Sequence, residues 1–161
     1  MATITSYDPR KKIRETIGTE KYINGEDTYI ITVTNNRDDT IDVPLYLPSE
    51  IYDDTPPPLP FVEMKLMTVP GETWNVGGDV HVSEAYMDFD ITYLPRRNVI
   101  DTDFGEKVAD TILDSLVSDH CQIGMYAEVI NDGRETFEGV DGRKVIFHRI
   151  MEIYSKEIQK K

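Results

Sequence analysis

Residues 80–94, VHVSEAYMDFDITYL, constrain the fold more than any other stretch. In an extended chain, successive side chains point to opposite faces. Val80, Val82, Glu84, Tyr86, Asp88, Asp90 and Thr92 then share one face, and His81, Ala85, Met87, Phe89, Ile91 and Tyr93 share the other. From Ala85 onward the second set is unbroken apolar, so it must face a core. Such a long strand requires a sheet with one covered face, and the next segment supplies a cover. Asp103 and Glu106 have the spacing of a capping box, with Asp in the cap role. Phe104, Val108, Ile112 and Leu116 recur every fourth residue, and Ala109, Leu113 and Val117 widen the stripe. Asp110, Asp114 and Asp119 stay outside it, so 103–118 reads as a sheet-packing helix.

The rest of the chain adds strands to this pair. Asp8-Pro9 opens a short helix at about 9–17, with Ile13 and Ile17 on one face and Gly18 as its stop. Residues 27–34 (DTYIITVT) are β-branched and read as a strand, followed by a turn at 35–39. Residues 41–47 are extended again, but Pro44 lacks an amide donor, which predicts an edge strand or loose return. Phe61–Val69 alternates as a half-buried strand, and 70–79 is turn-rich. Residues 121–130 alternate, Asn131-Asp132-Gly133 and 140–143 predict turns, and 145–154 predicts a final strand. The basic tail 155–161 is expected to fray. The reading is a single α+β domain over 1–161. It has a mostly antiparallel sheet, one main helix at about 103–118, and a short N-terminal helix at about 9–17.

Segment 48–60 (PSEIYDDTPPPLP) has four prolines within Pro56–Pro60 and favours polyproline II. It reads either as a stiff connector or as an arm laid on a neighbouring subunit, with Ile51, Tyr52 and Leu59 as apolar anchors. Trp74, beside Gly77-Gly78, either folds over the core edge or anchors an interface. Tyr154, just before the tail, completes the candidate subunit-interface residues.

Net charge is −13, and 31–60 carries six acids against Arg37 alone. Nucleic-acid affinity depends on Lys and Arg releasing counterions, so specific nucleic-acid binding is not expected. The same field disfavours anionic membranes, and no apolar run approaches the ~20 residues of a spanning helix. The opening MATITSYDPRKKIRE lacks an apolar signal core, and Cys121 is the single cysteine, so neither secretion nor a disulfide framework is expected. The acidity fits solubility or adaptation to salt, or else a surface that repels passing DNA.

Catalytic patterns are missing. The sequence has no GxGxxG, phosphate loop or GxSxG. His81, His120 and His148 have no partner at metal-ligand spacing. Asp88, Asp90, Asp101 and Asp103 could offer oxygen ligands to Mg²⁺ or Ca²⁺, but they do not match an EF-hand loop and read better as a solvated face. The expectation is a non-enzymatic chain without catalytic residues, cofactor or metal.

The element order is short helix, hairpin, Pro-rich link, strand, long strand, helix, two strands. It is carried by DPRKKIRETI, LPFVEM, AYMDFDITYL, FGEKVADTILDSL and VIFHRIMEIYSKEI. This layout resembles the tail terminator and tail-completion proteins of the head–tail junction of tailed viruses. The resemblance implies a virion structural subunit, assembled in the host cytoplasm. It also implies a ring homo-oligomer, often a hexamer, around the DNA path, with tail-tube or connector proteins as neighbours and an acidic lumen. Two other readings stand beside it: a cytoplasmic non-catalytic protein–protein interaction or adaptor domain, and a small-ligand binder or enzyme.

Overall fold

A computed structural model describes residues 9–23, 25–51, 55, 57–68, 74–76, 80–119, 125–140 and 144–160; within them, the side chains of 67–68, 74–76, 80–83, 117–119, 125–140, 144–145 and 158–160 are not described. Helix α1 is Arg10–Ile17 and helix α2 is Phe104–Asp119. The strands are β1 (Thr19–Ile23), β2 (Glu26–Thr34), β3 (Thr40–Tyr46), β4 (Phe61–Thr68), β5 (Trp74–Val76), β6 (Val80–Tyr93), β7 (Met125–Val140) and β8 (Lys144–Lys160). They form one sheet in the order β1-β2-β3-β4-β6-β8-β7, with β5 paired to β6. All pairings are antiparallel except β3 with β4. The chain is thus an α+β domain whose helices pack on a mostly antiparallel sheet.

The long strand behaves as its alternation requires. Ala85, Met87, Phe89, Ile91 and Tyr93 are all fully buried. Val62 and Met64 on β4, and Met151 and Ile153 on β8, continue this inner face. Phe104, Val108, Ala109, Ile112 and Leu116 of α2 pack on it, and α1 adds Ile13 and Ile17. At roughly 1.5–3 kcal/mol per large apolar side chain, these contacts are the main force holding helices to sheet. Leu113, placed in the apolar stripe by spacing, is instead exposed. Tyr93 anchors the junction of strand and helix. Its ring packs against Phe104 and Phe147, with centroids 5.9 and 5.4 Å away, and its hydroxyl donates to the Thr102 carbonyl at 3.0 Å.

Several sequence expectations need correction. Strand β1 is not among the elements the sequence predicts, because Thr19–Tyr22 are all exposed and show no alternation. Its signal lay in the loop: Asn24-Gly25 is a two-residue hairpin dipeptide, and Gly25 has φ +85. Pro44 does not make β3 an edge. β3 lies between β2 and β4, and its pairing with β4 begins at Leu45, just past the proline. Asn131-Asp132-Gly133 is not a turn; β7 runs through it with register shifts at Val129/Asn131 and Asp132/Arg134, so the turn residues serve two bulges. The tail does not fray at 155. β8 continues to Lys160 because the first half of β6 offers it a partner, as far as Val80↔Lys160. Gly18 ends α1, but with an extended backbone rather than a left-handed one. Its reason is space: an added Cβ would lie 2.9 Å from the Arg14 carbonyl oxygen. Asp8, the expected cap of α1, lies outside the described residues.

The two ends of segment 47–60 lie close together; residues 52–54 and 56 are outside the described residues. Tyr46 at the end of β3 lies beside Glu63 near the start of β4. This is the geometry of an Ω-loop, whose ends lie close together. Pro48–Glu50 forms a 3-10 turn, and the Glu50 carboxylate accepts from the Leu47 amide and from Arg14 of α1. The Leu59–Pro60 peptide is cis.

Candidate functional site

The sheet face turned away from the helices is the most organised polar surface among the described residues. Register builds it rung by rung. Phe61, Thr92 and His148 form one rung, and Glu63, Asp90 and Ile150 the next. Lys65, Asp88 and Glu152 follow, then the Tyr86–Tyr154 and Glu84–Lys156 pairs. The face therefore carries five carboxylates against two lysines.

Two of these rungs place carboxylates directly across from each other, Glu63 beside Asp90 and Asp88 beside Glu152. Like charges at opposed positions destabilise a sheet. Lys65 offsets one rung: its Nζ lies 3.5 Å from Asp90 Oδ2 and 3.7 Å from Glu63 Oε2. In the other rung, Asp88 and Glu152 have no ion pair among the described residues.

His148 is drawn into this cluster, where sequence spacing gave it no partner. Its Nδ1 lies 3.1 Å from Thr92 Oγ1 and 3.3 Å from Asp90 Oδ1. A nucleophile–base–orienter relay needs the hydroxyl and the carboxylate on different ring nitrogens. Here both meet the same nitrogen, so this trio does not form such a relay. Asp101, grouped in sequence with Asp88 and Asp90, is committed elsewhere: it accepts from the Asn36 amide at 3.0 Å and pairs with Lys107. Among the described residues, no three His, Cys, Asp or Glu side chains converge on a possible metal position.

The candidate interface residues are dispersed. Tyr154 lies on the outer face, 5.2 Å from the Tyr86 ring centroid, and its hydroxyl donates to Glu84 Oε1 at 2.8 Å. Ile51 closes the 3-10 turn and Leu59 precedes the cis proline; both are half-buried in the Ω-loop. Tyr52 lies outside the described residues. The backbone of Trp74 is in β5, with Trp74 opposite Val82, while its side chain lies outside the described residues. Of the other titratable candidates, Cys121 and His120 also lie outside, as does the side chain of His81.

The Ω-loop has one perturbed group at its base. Burial, followed by the Glu50 and Glu26 carboxylates, pushes the Tyr46 phenol above its ordinary value of 10.0. No helix among the described residues is long and apolar enough to cross a membrane. No protein-family model matches the chain, and comparison with curated proteins returns no match.

Proposed function

We propose that this chain is a non-enzymatic structural subunit of a tailed-virus particle. In this reading it stands at the tail or the head–tail junction and assembles with copies of itself into a ring around the DNA path. The observation that carries it is the outer face of β4, β6 and β8. That face is backed by the core and sets carboxylates directly opposite one another on two rungs, Glu63 with Asp90 and Asp88 with Glu152. A wall of fixed carboxylates repels phosphates, so DNA passes without adhering. A net charge of −13 points the same way. The neighbours along the axis would be tail-tube and connector proteins, and the location the virion.

The test is to reverse the face without touching the core. Glu84→Lys, Asp88→Lys and Glu152→Lys together should leave the assembly mass unchanged. They should also turn a particle that ignores duplex DNA into one that binds it, with affinity falling steeply as salt rises. Unchanged indifference to DNA would remove the face from the DNA path.

A further inference from the structure

Three large apolar side chains are exposed among the described residues: Tyr22 at 72%, Val99 at 43% and Leu113 at 36%. Tyr22 belongs to the edge strand β1. Val99 sits beside two exposed arginines, and Leu113 among three exposed acids.

Val99 lies in a tight loop. The Arg96 amide donates to the Ile100 carbonyl and the Ile100 amide donates back, both at 2.9 Å. This fixes the backbone that presents Arg96 and Arg97. Both arginines are exposed, and neither side chain has an ion pair or hydrogen bond among the described residues. Lys12, Arg14, Lys21, Lys65 and Lys107, by contrast, all hold a carboxylate. The loop borders an open cleft of about 580 Å³ whose lining also includes Asn36, Asp101 and Asp103. Asp101 is already engaged by Lys107.

Leu113 lies on the outward face of α2, among Glu106, Asp110 and Asp114. All three acids are exposed and without an ion pair among the described residues. Acids four apart destabilise a helix. The only base in α2 is Lys107, which donates to Asn36 and Asp101. Leu113 is nine residues from the start of α2, about 14 Å along the axis. Leu113, Asp110 and Asp114 therefore lie along the helix away from the loop, while Glu106 stands in the first turn beside it.

We propose that Arg96, Arg97 and Val99 of one copy dock on Glu106, Asp110, Leu113 and Asp114 of the next. The guanidinium groups would pair with the helix carboxylates, a geometry Arg suits better than Lys. Val99 would meet Leu113 at the centre, where an apolar contact excludes water. The contact joins two unlike surfaces, so it is head-to-tail and propagates until a ring closes. It rests on the ring reading and names the contact that builds the ring.

The experiment is sedimentation velocity on the wild type, Arg96→Glu/Arg97→Glu, Asp110→Arg/Asp114→Arg, and the four-fold combination. Far-ultraviolet circular dichroism and melting check that each variant is folded. Each reversed pair alone should weaken self-association roughly tenfold or more. The combination should restore it, because the charges are swapped rather than lost. Val99→Ala/Leu113→Ala, which leaves every charge in place, should weaken it as well. An assembled wild type that neither reversal disturbs overturns this contact and leaves the ring reading standing. So does a combination that fails to recover. A wild type that never associates overturns both.

Discussion

At the scale of single residues, two small buried residues, Gly105 of α2 and Ser155 of β8, report on packing. Gly105 sits in the first turn of α2, where glycine is ordinarily a liability and alanine gains about 1 kcal/mol. Here an added Cβ would lie 2.6 Å from Tyr93 Cε1, a ring atom locked in the core. Gly105→Ala should therefore destabilise by about 1–3 kcal/mol. Thermal unfolding checks it at roughly 2–4 °C per kcal/mol for a chain of this size; a higher midpoint would contradict the packing of Tyr93. Ser155 is the reverse case. It is fully buried opposite Ala85, and its Oγ has no partner among the described residues. Removing an unsatisfied buried hydroxyl avoids a penalty of about 1–3 kcal/mol. Ser155→Ala should raise the midpoint by a few degrees, and a fall would reveal a partner for that hydroxyl. Neither position was legible in the sequence, because each depends on what the fold brings within 4 Å.

At the scale of elements, legibility followed burial. β6 and α2 were readable because one face of each is fully buried, which writes a period of two or of about four into the residues. β1 was unreadable by the same logic: its exposed residues carry no period, and only the Asn24-Gly25 loop betrayed it. In β7, the residues of a turn were spent on bulges, a choice made by the partner strand β8 rather than by local preference. The outer-face cluster was half visible. Asp88 and Asp90 stood out by alternation, whereas Lys65, His148 and Glu152 joined them only through register. The Ω-loop makes a separate claim at this scale. Its ends are held by the β3–β4 pairing and by the Arg14–Glu50 ion pair. Replacing residues 52–58 with a Gly-Ser linker of equal length should leave the circular dichroism and the melting midpoint nearly unchanged. If the loop is an arm, the same replacement should lower the assembly mass; an unchanged mass would restrict it to a connector.

At the scale of the whole molecule, three surfaces divide the work. The inner face makes the core. The outer face holds carboxylates that strand pairing alone would disfavour. The loop around Val99 and the outward side of α2 carry opposite unpaired charge, each with one exposed apolar residue. The fold needs only the first of these, and an assembly that encircles DNA would use the other two. Light scattering coupled to size exclusion, from micromolar concentration upward, weighs that account most directly. It should return a single closed species of several times 18.5 kDa whose mass stays constant on further concentration. A mass of one chain at every concentration would contradict it.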